Sequence, residues 1–238
     1  MRSFVFNGTD FGALTRAKVV SESALCVVPK TADVPGRAGA AVLDVSVPPK
    51  VVRLKVWLEP MAKLDVAQLV ELRHKLGAAL LACEGAELQY QDNYVYHDVL
   101  CTKAEVWDTL YEAGSCELEF TCFDPIAYSR AMRTETADTF EVRGTWPTWP
   151  IIELVADGSG AITVASADTT TAVTLTGDFT EGSIVFLDYE HETVFVDGVM
   201  SGGRIALTSD FSAMRPGMQR FTFEGVSCHG ISFYERWV

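Results

Sequence analysis

Gly114-Ser115-Cys116-Glu117-Leu118-Glu119-Phe120-Thr121-Cys122-Phe123-Asp124-Pro125-Ile126-Ala127-Tyr128 is the stretch that decides the fold. Cys116, Leu118, Phe120 and Cys122 alternate with Glu117, Glu119 and Thr121, the period of a strand with one dry face and one face that is wet or in an interface. Asp124-Pro125 then stops it, because proline offers no N–H to a neighbouring strand and an aspartate before it favours a turn. Asp124 reads as that turn device in preference to a catalytic acid. A strand that stops in mid-chain closes a β-rich domain, and 238 residues have room for two modest cores. The boundary is placed at 138/139.

Upstream, Val51 to Leu58, Ala86 to Tyr90 and Tyr94 to Thr102 read as further strands of the same sheet, with Gln91-Asp92-Asn93 as a hairpin turn. Between them lies one helix over about 65–82. Asp65 is a good N-cap, Leu69, Leu72, Leu76 and Leu80 recur at helical spacing, and Glu71 and Lys75 are placed to pair across a turn. The leucine stripe suits packing on a sheet better than a partner helix.

Downstream the pattern changes. Gly144-Thr145-Trp146-Pro147-Thr148-Trp149-Pro150 is a stiff entry to a strand Ile151 to Val155. Short strands follow at Ala161–Ala165, Ala172–Thr176, Ser183–Asp188, Thr193–Val196, Arg204–Leu207, Arg220–Phe223 and Ile231–Tyr234. The fold class is therefore mainly β: an α+β first domain (1–138) with one helix on a β-sheet, then an all-β sandwich (139–238). Trp146 and Trp149 would suit sugar stacking, but tryptophan at a domain edge packs in the same way. Asp188, Glu190, Glu192 and Asp197 offer oxygens to calcium, yet lack the ligand order of an EF-hand and read as a solvated turn.

Composition excludes other classes. The net charge is −13, divided as −5 over residues 1–140 and −8 over 141–238, and no basic run interrupts it along the chain. Such a balance opposes tight nucleic-acid binding at physiological salt. No apolar run approaches the roughly 20 residues of a membrane span, and Met1 to Gly8 reaches a turn before a signal-peptide core could form. The six cysteines form no CxxC pair and the four histidines are scattered, so reduced, buried thiols are expected and neither metal nor cofactor is. There is no nucleophile elbow, P-loop or HExxH, and no enzyme is expected.

In the order and spacing of its motifs the chain resembles the distal tail protein family of long non-contractile-tailed phages. The motifs are Phe6-Asn7-Gly8-Thr9-Asp10-Phe11, Val34-Pro35-Gly36-Arg37-Ala38-Gly39, the helix, Phe120 to Tyr128, Gly144 to Pro150, Leu187-Asp188-Tyr189-Glu190 before Asp197-Gly198, and Arg215-Pro216-Gly217-Met218-Gln219. The resemblance implies a homo-hexameric ring at the tail tip, made by the first domain, with a galectin-like sandwich on its outside. It implies a tail tube protein on one ring face, a baseplate hub on the other, receptor-binding protein at the periphery, and DNA passing through the lumen without tight binding. The virion tail tip is the implied location, after assembly in the host bacterial cytoplasm. At the subunit junction, Pro35 and Gly36 would set a bend and Arg37 would pair with a neighbour's carboxylate. The alternatives are a carbohydrate-binding module working through the second domain, a tail-tube-like ring former, and a glycan-cleaving enzyme built on scattered carboxylates.

Overall fold

Side chains of alternate residues in the Ser115–Cys122 strand point to opposite faces, and every second one of them, Cys116, Leu118, Phe120 and Cys122, is buried. The structure is a computed structural model that describes residues 4–12, 15–36, 38–58, 65–91, 93–104 and 115–238. The chain divides into two compact units, residues 1–128 and residues 129–237.

The first unit contains β1 (Val5–Phe6), β2 (Thr9–Asp10), β3 (Thr15–Glu22), β4 (Val28–Asp33), β5 (Ala40–Ser46), β6 (Lys50–Leu58), α1 (Val66–Leu80), β7 (Ala86–Gln91), β8 (Tyr94–Ala104) and β9 (Ser115–Cys122), and β10 (Ala127–Ser129) follows where the units divide. The main sheet runs in the order β2-β1-β7-β8-β9-β6-β3, with antiparallel neighbours throughout. Its strands include the four expected from alternation. Asn7 and Gly8 turn β1 into β2 with positive φ values of 49° and 71°, the twist that a two-residue hairpin needs. That turn brings the rings of Phe4 and Phe11 to 4.8 Å, while Phe6 meets Phe120 at 4.9 Å. The quoted Phe6–Phe11 motif is thus a core-forming hairpin.

The helix starts as its cap predicts. Gln68 N donates to Asp65 Oδ1 at 2.8 Å and Asp65 N donates to Gln68 Oε1 at 3.0 Å, a reciprocal capping box. Glu71 and Lys75 pair at 2.8 Å on the exposed side, and Leu76 and Ala79 are buried. Asp124 also acts as expected: it accepts from Ile126 N at 3.0 Å and from the Tyr128 hydroxyl at 2.7 Å.

The second unit contains β11 (Arg133–Glu135), β12 (Thr139–Val142), β13 (Ile151–Ala156), β14 (Ile162–Ser166), β15 (Thr171–Leu175), β16 (Ile184–Asp188), β17 (Thr193–Val196), β18 (Val199–Met200), β19 (Gly217–Glu224), β20 (Val226–Phe233) and β21 (Arg236–Trp237). A six-stranded sheet, β11-β20-β13-β16-β17-β18, and a four-stranded sheet, β12-β19-β14-β15, enclose one core that includes Ile152, Leu154, Ile162, Leu175, Leu187 and Phe233. This is a β-sandwich. Residues 129–138, placed by the sequence with the first domain, belong here by their contacts, since Arg133–Glu135 pairs with Ile231–Phe233.

Two expectations are corrected. Arg204–Leu207 is not a strand: a 3-10 turn occupies Gly202–Arg204, and the Arg204 guanidinium leaves the sheet to meet Asp178 O at 3.0 Å and the Phe179 ring at 4.7 Å. The thiols are not uniformly buried either. Cys116 and Cys122 are buried and Cys101 half-buried, but Cys26, Cys83 and Cys228 are exposed.

Glu235 is the buried polar anchor of the second unit. Its carboxylate accepts from Arg143 N at 2.7 Å, Gly144 N at 2.8 Å and the Arg133 guanidinium at 2.8 Å, so the buried charge is met on all sides. Gly225 is a second constraint, because its φ is +78° and a Cβ there would lie 2.4 Å from Ala161 O.

Gly225→Ala is expected to cost about 2 kcal/mol or more in urea unfolding, since neither the backbone angle nor the Ala161 carbonyl can give. The thiols provide a pH test. Burial pushes Cys122 up to about 12 and Cys101 up to about 11, above the ordinary value of about 8.5 that they regain on unfolding. The folded chain then holds more protons than the unfolded one, so this contribution is intact below about pH 8.5 and is lost as pH rises toward the folded values. Urea midpoints should fall between pH 8 and pH 10, to roughly the same extent by fluorescence and circular dichroism, and Cys122→Ala should flatten the fall.

Candidate assembly surface

A polypeptide that ends its strands in unpaired backbone, or leaves aliphatic side chains in water, needs another surface to cover them. The first unit does both. β4 and β5 pair with each other and, among the described residues, with no other strand. They form a two-stranded ribbon, an arrangement of marginal stability alone.

The ribbon is also apolar where it should be polar. Val42, Leu43 and Val45 are 60%, 63% and 51% exposed, and Val28 and, at its base, Val27 are exposed as well. The register explains why both faces are affected. Thr31 is opposite Val42 and Pro29 opposite Val45, and a bulge between Lys30 and Thr31 shifts the alternation at Leu43. Pro35 and Gly36 lie exposed at the tip, where Gly36 has a φ of +82° suited to a tight reversal. The structure therefore brings two of the three interface residues expected from sequence to the end of an exposed arm. Arg37 lies outside the described residues.

The ribbon itself had no place in the sequence reading, which saw only its tip. Its signal was available in the β-branched residues at Val42 and Val45 and in Val27-Val28. At the edge of the main sheet, β3 pairs with β6 alone among the described residues, and Val20 is exposed on it. Among the described residues the first unit thus presents an uncovered arm and an open strand edge.

Other candidate sites resolve into structure. Trp149 packs against the sandwich core, and Trp146 N donates to Arg236 O at 3.0 Å. Asp188 caps its own turn, accepting from Glu190 N at 3.1 Å and His191 N at 3.2 Å while its other oxygen meets His191 Nδ1 at 2.8 Å. That contact raises the His191 imidazole above its ordinary value. Asp197 accepts from Ile184 N at 2.8 Å, and Asp197-Gly198, both at positive φ, turn β17 into β18. Among the described residues no cluster of His, Cys, Asp or Glu could hold a metal, and no helix is long and apolar enough to cross a membrane.

Residues 143–237, which hold the Glu235 anchor and most of the sandwich, match the model of the siphovirus-type tail component, C-terminal domain. That match lies within the second unit. The fold of the whole chain is similar to the crystal structure of the Dit protein of phage SPP1, described as a paradigm of the hub adsorption apparatus in phages infecting Gram-positive bacteria. That likeness has a TM-score of 0.78 at 14% identity and covers 99% of each chain. Fainter similarity extends to baseplate structures of phage p2 in the activated conformation with Ca and with Sr, both at 8% identity over 92% of this chain and 90% of the other, with TM-scores of 0.47 and 0.49. No curated protein matches the sequence. The resemblance to distal tail proteins is borne out by the family match of residues 143–237 and by the likeness in fold of the whole chain to the SPP1 Dit structure.

Because the ribbon side chains are in water in the single chain, charging them should leave its folding untouched. Val42→Lys combined with Val45→Lys is expected to shift the unfolding free energy of the dilute monomer by less than about 0.5 kcal/mol per site. A loss of several kcal/mol by urea unfolding would mean that the ribbon is already packed within one chain.

Proposed function

We propose that this chain is the distal tail adaptor of a siphovirus. Six copies close head to tail into a ring at the tail tip, joining the tail tube to the baseplate hub and letting DNA pass through the lumen. The role is structural rather than catalytic. The virion is its place of work, reached by assembly in the host cytoplasm, and receptor-binding protein attaches at the periphery.

The observation that supports the reading is the ribbon, whose apolar side chains are exposed and which pairs with no other strand among the described residues, beside a strand edge that is likewise open among them. A head-to-tail contact must close to stay soluble, and an arm that reaches the next copy serves closure without altering either core. Kinship with a tail component family and the siphophage tail fold agree with it. Pro35, Gly36 and Arg37 form the arm's tip in this reading, with Arg37 paired to a carboxylate of the neighbouring copy. The carbohydrate-binding alternative loses one of its two tryptophans to the sandwich core, since Trp149 packs there.

Light scattering and negative-stain imaging of the purified protein test the proposal. Wild type should give a six-fold annular particle, and Val42→Lys/Val45→Lys should give monomer with an unchanged circular dichroism spectrum. Arg37→Glu should weaken the ring about tenfold in concentration, as the loss of one ion pair at an interface does. A wild type that remains monomeric at every concentration, or a charged variant that still forms rings, would overturn the reading.

A further inference from the structure

In the second unit the six-stranded sheet turns Ile152, Leu154, Val185, Leu187 and Val194 into the core, so the residues between them share its outer face. That face is apolar. Phe186 lies opposite Phe195, Phe195 opposite Met200, and Ile184 opposite Val155, while Ile151 begins β13 on the same side. Phe186 and Phe195 are 38% and 37% exposed, Ile184 42% and Met200 64%. Single exposed apolar side chains are ordinary, but a run of them joined across β13, β16, β17 and β18 is a surface for a partner.

The face carries one charge that its own strands leave unmatched. Glu153, exposed on β13, has Phe186 on one side and Gly230 on the other. No lysine or arginine occurs in β13, β16, β17, β18 or β20, and among the described residues no ion pair reaches Glu153. Asp188, the other carboxylate on these strands, is occupied, since it accepts from Glu190 N and His191 N and meets His191 Nδ1. Gly230 leaves its flank of Glu153 without a side chain, and the nearest atom that a Cβ there would meet is the Thr134 methyl at 3.8 Å.

We propose that this face docks a second protein whose contact surface is apolar and basic, an arginine set among aliphatic side chains. Phenylalanine and methionine with little charge is the composition at the core of a protein interface. Charge decides the kind of partner. A guanidinium can meet the Glu153 carboxylate with two N–H groups while its plane lies on the Phe186 ring, a pairing that the point charge of lysine does not reproduce. Covering Glu153 with a neutral surface would desolvate a carboxylate without return, so the residue that attracts a basic partner rejects others. A second copy fits poorly, because residues 141–238 carry a net −8 and this face has only negative charge to offer itself. A sugar fits poorly too: it needs several hydrogen-bonding groups converging beside the ring on which it stacks, and the side chains next to Phe186 and Phe195 are Ile184, Met200 and the single Glu153.

Fluorescence anisotropy of the full chain with a labelled peptide of about ten residues, alternating arginine and leucine, tests this. Binding is expected at about 100 µM. Glu153→Gln should weaken it about tenfold, and Phe186→Ser/Phe195→Ser at least as much. Gly230→Val keeps every charge and apolar group but fills the flank of Glu153, and should also weaken binding about tenfold. Glu224→Gln removes an exposed carboxylate of the four-stranded sheet and should leave binding within about twofold of wild type. Circular dichroism and urea midpoints near wild type will confirm that the variants fold. Absence of binding, equal binding of a peptide with glutamate for arginine or serine for leucine, or equal loss in Glu224→Gln would overturn the inference. So would tighter binding of an N-acetylglucosamine oligomer that Phe186→Ser/Phe195→Ser abolishes, which would give the face to a sugar, or a particle mass that falls in that variant, which would give it to a second copy. The inference does not rest on the ring: a chain that binds the peptide in this way but forms no ring keeps it, and a ring that ignores the peptide removes it alone.

Discussion

A two-stranded ribbon cannot bury its own side chains. Among the described residues β4 and β5 pair only with each other, and Val28, Val42, Leu43 and Val45 are exposed. Burying an aliphatic side chain is worth about 1.5–3 kcal/mol, and several of them together on one arm supply the driving force for a contact with another molecule. The main sheet below it follows the opposite rule. Phe4, Phe6, Phe120, Leu54 and Leu118 are fully or almost fully buried, so the sheet is finished as a fold while its arm and its β3 edge are not.

The division of labour between the two units follows from this. The second unit closes its own core between two sheets, and its buried charge at Glu235 has a donor from Arg133, Arg143 and Gly144. Such a satisfied sandwich is a module that can be carried without taking part in closure. The first unit carries the open surfaces, and in the ring reading it is the part that joins copies.

Much of the fold was legible because strand alternation and helix capping are local. Cys116 to Cys122 predicted the buried face of β9, Asp65 predicted the helix start, Asn7-Gly8 stood in a motif that folds as a hairpin, and Asp124 acted as a turn residue. What failed was not local. Arg204–Leu207 has strand composition, but Arg204 is drawn off by Asp178 and Phe179 from a distant segment. The ribbon escaped notice because its residues are half polar and its partner strand follows an irregular, bulged register.

The central claim is that a second copy covers the ribbon. Amide hydrogen exchange over residues 28–46, compared between dilute monomer and concentrated assembly, reads it directly. The account predicts fast exchange and exposed aliphatics in the monomer, and protection of the outward-facing ribbon amides when the particle reaches the mass of six copies. Equal exchange in both samples, or protection already complete in the monomer, would contradict it.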